Sequence, residues 1–451
     1  MKINNLVIQN NANTYTNELN WLTQLIQKRL ESHFSNQPIE LAQLNPPEIS
    51  ASESNYGRWL SHHPFNPFHR LIIISALASI YSPHVYDSFL IKNKGIDKRF
   101  TEFGGRLDSS NSRFIPTLET LIFLYYGDEN WAKFQAQAIF DKKNVLQQKN
   151  IIQFKTSNDN ASVLSTQILL TEETLHFLTL GTKFKPDYRI DFPAKLIETD
   201  LEWEDLVLSQ IIMDEVKNIE AWLKYKSEIN RNPILQKKLN KGYKCLFYGP
   251  PGTGKTLTSS LLGKKSKQDV YRIDLSQMVS KYVGETEKNL AHIFDAAENK
   301  DWILFFDEAE SLFSKRTSVT DSKDKFANQQ TAYLLQRIEE YQGLVVLATN
   351  LRPNIDTAFS RRIQSVIHFP LPEFNERKIL WKNALEGISD VNSAVVEKLA
   401  RDYKISGGSI KNVVHFSWLL SKRNETSITE SEIIQGIKRE LSKDGKPLDS
   451  I

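Results

Sequence analysis

The chain has 451 residues, 40% apolar and 25% charged, with 57 basic against 54 acidic side chains and one cysteine. That length exceeds what one hydrophobic core serves, so two or three domains are expected of an ordinary globular composition. A net charge of +3 makes no demand for nucleic acid, and the lone Cys245 excludes an internal disulfide and implies a reducing compartment. The start, Met1-Lys-Ile-Asn-Asn, lacks the apolar core of a signal peptide. The longest apolar run, 71–81, is too short to span a bilayer. A cytoplasmic, soluble chain without membrane insertion is the expectation.

A polar, Asn-rich start leads into a helical pattern around Leu19, Leu22, Leu25, Ile26 and Leu30. The stretch 35–54, with Pro38, Pro46 and Pro47, reads as linker. A second helix is expected over 66–86, with Pro67 in its first turn, and a third from Pro116. Between them 92–106 is basic, contains glycine and reads as a loop. A β-rich run with a turn at 168–181 suggests a hairpin. Short helices followed by a hairpin describe a mainly helical, winged-helix-like domain. Such domains often bind DNA, but the run at 92–99 lacks interleaved aromatics and reads as solvated surface. Domain boundaries are therefore set at 1–50, 51–195, 196–370 and 371–451.

From residue 203 onward the pattern changes. A helix over 211–225 precedes strands at 243–248, 270–274, 302–306, 343–348 and 365–369, with helices between them. That alternation predicts a parallel α/β sheet. After Pro372 the chain reads as four helices, a small helical lid.

The apolar run at 245–248 opens into Gly249, Pro250, Pro251, Gly252, Thr253, Gly254, Lys255 and Thr256, and a helix follows from Leu257. Strand, glycine loop and helix are the context a Walker A motif requires. The glycines let backbone N–H groups face a phosphate chain, and the helix start adds free N–H groups and a positive dipole end. Lys255 supplies charge to the β- and γ-phosphates of ATP, and Thr256 offers a hydroxyl to Mg²⁺. Asp307 and Glu308 end the apolar strand at 302–306, where Asp307 can hold Mg²⁺ through water and Glu308 can polarise the attacking water. Asn350 ends the next strand within reach of a γ-phosphate, although a turn-forming Asn before Leu-Arg-Pro has the same signature. Arg361 and Arg362 are poorly placed for the chain's own phosphates and read as fingers supplied to a neighbouring subunit.

As an ordered set, Gly249-Pro-Pro-Gly-Thr-Gly-Lys-Thr256, Phe306-Asp-Glu-Ala-Glu310, Ala348-Thr-Asn350 and Asp356-x-Ala-Phe-Ser-Arg-Arg362 resemble the protein-remodelling clade of AAA+ ATPases. The resemblance covers about 200–445. It implies a P-loop AAA+ module, a parallel α/β nucleotide domain plus lid, forming a homo-oligomeric, usually hexameric ring with ATP at subunit interfaces. It also puts 203–208 near the adenine. Lys281-Tyr282-Val283-Gly284-Glu285 resembles the clade's pore loop, in which Tyr282, Val283 and Gly284 would grip an extended protein client. Packing of Tyr282 and Val283 at a helix entry is the bland alternative.

Two points depart from or extend that pattern. Ser406-Gly-Gly-Ser-Ile-Lys411 replaces Ser-Gly-Ala-Asp, and Lys411 stands where other AAA+ branches carry a phosphate-sensing arginine. A nucleotide contact and a solvent-facing lysine both remain open for Lys411. A fainter likeness, over Asn66-Pro-Phe-His-Arg-Leu and Glu310-Ser-Leu-Phe-Ser-Lys-Arg316, is to the ATPases of contractile-injection-system clusters, whose client would be a sheath or tube component. The expected function is ATP-driven protein remodelling. A nucleic-acid motor and a non-hydrolysing assembly scaffold are the alternatives, the first disfavoured by Tyr282 and Val283 and the second by Glu308.

Overall fold

The computed structural model describes residues 5–35, 45–49, 54–95, 97–156, 162–189, 192–275, 285–310, 322–351, 361–389, 391–425 and 427–443. The chain divides into two compact units, Met1–Lys185 and Pro186–Ile451. No described helix is long and apolar enough to cross a membrane.

The first unit is mostly helical. Its longest helix runs from Asn5 to Ser35, starting well before the expected pattern at Leu19, and buries Trp21, Leu22, Leu25 and Ile26. It shares one core with the later helices Pro67–Tyr81 and Leu118–Tyr126, so it belongs to this unit rather than standing apart. Pro67–Tyr81 buries every residue from position 70 to 78, as a helix surrounded by protein must. Arg70 of that helix forms a buried ion pair with Glu18 and also donates to Pro47 O at 2.9 Å. The hairpin expected at 168–181 is absent. Residues Glu172–Leu180 are a helix, capped by Thr171 accepting from Thr174 N–H and ended by Gly181 in the left-handed region. The strand Gln167–Leu170 pairs instead with Ile152–Lys155, across a longer connection. The expected loop at 92–106 contains a short antiparallel pair, Lys92–Asn93 with Lys98–Arg99.

The second unit is built on a six-stranded sheet: β1 (Ala194–Leu196), β2 (Tyr243–Tyr248), β3 (Val270–Asp274), β4 (Ile303–Asp307), β5 (Leu344–Thr349) and β6 (Ser365–His368). The order is β6-β2-β5-β4-β3-β1, parallel throughout except for β1, which runs antiparallel to β3 at the edge. Since β1 already belongs to this sheet, the α/β domain begins before the expected 196. Ile303, Leu304, Phe305 and Phe306 are all fully buried, as a parallel strand covered on both faces requires. Alternate side chains go to opposite faces. Cys245, Phe247, Phe305 and Val346 pack with α1 (Gln210–Arg231) and α2 (Lys255–Ser266). Leu246, Leu304, Phe306 and Val345 pack with α3 (Glu285–Lys300) and α4 (Ser322–Glu340).

Four further helices form the lid with a core of its own around Trp381, Leu399, Ile410 and Ile433: α5 (Phe374–Leu385), α6 (Ser393–Asp402), α7 (Gly407–Arg423) and α8 (Glu430–Lys443).

Candidate active site

Three neighbouring strands, β2, β5 and β4, end side by side, and the crevice outside such carboxyl ends is where open α/β sheets bind ligands. There a cleft of about 420 Å³ is lined by Pro251 to Leu257, Asp307, Glu308, Asn350 and, from the lid, Leu380, Gly407, Gly408 and Lys411.

The loop after β2 is held by its neighbours. Gly249 donates its N–H to Thr349 O at 3.2 Å, and at φ +143° any Cβ on it would land on the carbonyl of Phe369. Only glycine fits that approach. The loop ends at Gly254, the N-cap of α2, which provides no side-chain cap. The first-turn N–H groups of α2 are thus left for a ligand, with the positive end of the helix behind them.

Lys255 is 8% exposed, and its ammonium donates to Gly249 O at 2.6 Å, Pro250 O at 2.9 Å and Asn350 Oδ1 at 3.0 Å. These three oxygens occupy the donors that phosphate oxygens would take. Burial lowers the Lys255 pKa, and the carboxylates of Asp307, Glu310 and Glu308 oppose that shift. A buried cation facing acidic groups and an uncapped helix start fits a Mg²⁺–polyphosphate.

Asp307 closes β4. Its Oδ1 accepts from Glu308 N–H at 3.1 Å, and its Oδ2 pairs with Arg272 of β3 at 2.8 Å. Glu308 sits at φ +56°, the left-handed region that a non-glycine residue occupies under strain, here at the head of the cleft. A hydrogen bond with Glu310, then the charges of Glu310 and Asp307 together with burial, push the Glu308 carboxyl above its ordinary range. Thr256 is exposed in the cleft, so its hydroxyl and the Asp307 carboxylate are the hard oxygen donors that suit Mg²⁺.

The far wall is apolar. Leu206, Val207, Leu208 and Ile212 face Leu380 and Pro372 across the cleft, a surface suited to a purine. Of the stretch expected near the adenine, 205–208 lines the cleft and Trp203 does not. Lys265 lies over the Trp203 ring at 5.3 Å instead.

The remaining expected residues lie elsewhere. Gly249 and Pro250 contribute their carbonyls to Lys255 rather than lining the cleft. Arg361 and Arg362 are exposed and do not line it, and Arg362 pairs with Glu339 at 2.9 Å. Tyr282, Val283 and Gly284 lie outside the described residues. Sequence reasoning missed Arg272, Glu310, Leu380, Gly407 and Gly408. Arg272 had a signal, a charge in the middle of a short, mostly apolar strand; Gly407 and Gly408 stood inside the Ser406–Lys411 departure without being given a contact of their own, and Leu380 had no signal.

Residues 245–371 match the family model of the ATPase family associated with various cellular activities (AAA). This stretch is an AAA ATPase domain. The matched stretch runs from Cys245, inside β2, through β6 and so contains the phosphate loop, Asp307, Glu308 and Asn350. Among curated relatives, the ATPase family gene 2 protein of Schizosaccharomyces pombe is 34% identical over 41% of this chain and 23% of its own length. The 26S proteasome regulatory subunit 6B homolog of Encephalitozoon cuniculi is 29% identical over 44% of this chain and 54% of its own. The cell division cycle protein 48 homolog of Archaeoglobus fulgidus is 30% identical over 53% of this chain and 33% of its own. The chain therefore spans between about a quarter and half of the length of these relatives.

Proposed function

We propose that this chain is a Mg²⁺-dependent ATPase that works as a homo-oligomeric ring, hexameric in its family's manner, and remodels a protein client. The convergence of Lys255, Asp307, Glu308 and Asn350 on one cleft beside an uncapped helix start carries the reading. Relatives among proteasome regulatory subunits and cell division cycle protein 48 homologs support the remodelling part.

In this mechanism the loop N–H groups and Lys255 bind the phosphates, with Lys255 exchanging its carbonyl partners for phosphate oxygens. Mg²⁺, held by Thr256 and through water by Asp307, would supply charge neutralisation at the β- and γ-phosphates. Glu308 orients and polarises the attacking water. Asn350, already bonded to Lys255, touches the γ-phosphate and registers its presence. Arg361 and Arg362, outside their own cleft, reach the ATP of the adjacent subunit and stabilise transition-state charge. Lys411, on the lid helix lining the cleft, contacts the nucleotide as a second sensor. Tyr282, Val283 and Gly284 grip the client.

The test is a trap. Glu308→Gln should bind ATP without hydrolysing it, so the full chain is recovered from its native lysate with ATP and its companions identified. Protein clients retained only with ATP support the reading, and sheath or tube components among them would extend it to injection systems. Nucleic acid that survives a high-salt wash would favour a motor or loader. Absence of ATP hydrolysis by the wild type itself, with ring assembly that still needs ATP and is unchanged in Glu308→Gln, would leave an assembly scaffold.

A further inference from the structure

The first unit carries a cationic groove that plays no part in the nucleotide chemistry. It has a volume of about 550 Å³ and lies where two antiparallel ribbons meet, Arg106–Leu107 with Phe114–Ile115 and Ile152–Lys155 with Gln167–Leu170. Arg106 joins them, donating from Nη2 to Gln167 Oε1 at 2.8 Å.

Arg106, Arg113 and Lys155 line this groove against a single carboxylate, Asp108. Asp108 is already engaged at its own turn, where Oδ1 accepts from Ser110 N–H at 2.9 Å and from Ser110 Oγ at 2.7 Å. Among the described residues, none of the three cations forms a salt bridge. Arg106 also keeps its Nε–H buried and without a hydrogen-bond partner, an unfavourable state for a charged group. An arginine satisfies that donor best with a carboxylate, which takes Nε and a terminal nitrogen as a two-bond fork.

The rest of the lining selects among anions. Leu107 is 45% exposed, and Pro83 and Ile115 line the groove beside it, so an apolar side chain has a surface to cover. The single aromatic in the lining, Phe114, is 3% exposed and offers no platform for a base. Three cations at one spot are also short of the charge track that a nucleic-acid backbone needs. Among the described residues each ribbon has two strands, the kind of backbone to which an extended peptide can add a third.

We propose that this groove binds an extended acidic segment of a protein partner, with a carboxylate on Arg106 and an apolar neighbour against Leu107. The experiment uses the full chain and a fluorescein-labelled peptide rich in Glu and Leu, with a Gln-for-Glu version and a single-stranded oligonucleotide as comparisons, read by anisotropy. The acidic peptide should bind in preference to both. Arg106→Gln should weaken it about tenfold or more, the loss expected for a charge-assisted hydrogen-bond pair. Because Arg106 also joins the ribbons, the exposed pair Arg113→Gln with Lys155→Gln is the second variant, and it should weaken binding with an unchanged melting curve. Absence of binding by the wild type, equal binding of the Gln peptide, or affinity unmoved by both variants overturns the proposal. Tighter binding of the oligonucleotide overturns it in favour of a nucleic-acid surface.

Discussion

Gly408, in the first turn of α7, donates its N–H to the carbonyl of Gly252 at 2.9 Å, so phosphate loop and lid are joined through backbone alone. The approach is so close that a Cβ on Gly408 would sit 2.9 Å from Gly252 Cα. One on Gly252, at φ +75°, would sit 2.6 Å from Ser406 Oγ. The departure from Ser-Gly-Ala-Asp noted in the sequence thus has a structural counterpart: the second small residue is glycine where the lid rests on the loop.

Gly408→Ala should therefore weaken nucleotide binding without unfolding the chain. Overpacking of about 1 kcal/mol corresponds to roughly fivefold in affinity, and Gly408→Val should lose more. Titration with a fluorescent ATP analogue checks it. Unchanged affinity in both variants would mean that the lid yields freely.

Arg272 bears on the metal requirement. Its guanidinium occupies Asp307 Oδ2 at 2.8 Å, and a cation there opposes a second cation at the same carboxylate. Arg272→Met should lower the Mg²⁺ concentration needed for half-maximal binding of the ATP analogue. The Arg272 side chain is 43% exposed, so solvent screening limits the change to about two- to threefold. A Mg²⁺ titration of analogue binding reads this directly; a rise in the requirement would mean that Arg272 positions Asp307 instead.

The shared-site reading of the arginines is testable by mixing. Arg361→Ala should lose turnover by about 10³-fold or more while keeping ATP binding within a few-fold. Lys255→Ala should lose binding itself. Combining the two variants should restore part of the activity, because mixed interfaces pair an intact Lys255 with an intact Arg361. Failure of every ratio to recover hydrolysis would place Arg361 outside a shared site.

Lys244 supplies a pH signature. It is 7% exposed, donates to Tyr341 O at 2.8 Å, and burial lowers its pKa to about 8, with Glu339 opposing. In the unfolded chain it titrates near 10.4. Below pH 8 both states hold the proton, and the full penalty of burying the charge is present. Between about 8 and 10.4 the folded chain sheds the proton while the unfolded chain keeps it, so this group's contribution to stability rises with pH, by about 3 kcal/mol in all. Relative to wild type, Lys244→Met should therefore be favoured most at neutral pH and lose that advantage toward pH 10 in thermal unfolding. A pH-independent difference would show that the lysine is not buried charged.

The sequence by itself determined the parts whose chemistry is local. The phosphate loop is one contiguous segment whose glycines, lysine and threonine each have a backbone or charge reason to stand where they do. Asp307 and Glu308 were legible because a run of apolar residues in a covered parallel strand must end at the crevice. Local signals failed where a competing local structure existed: Thr171, Glu172 and Gly181 are helix caps and first-turn residues, and they turned an apparent hairpin into the helix Glu172–Leu180. What only the tertiary structure decided are the meetings of distant segments. Arg272 reaches Asp307 because β3 and β4 lie in register, and Gly408 meets Gly252 because the lid folds back over the loop. Arg106 and Gln167 join two ribbons in the same way. Such contacts depend on sheet order and helix docking, which arise from burial of whole apolar faces, and no spacing along the chain encodes which polar groups those faces bring together.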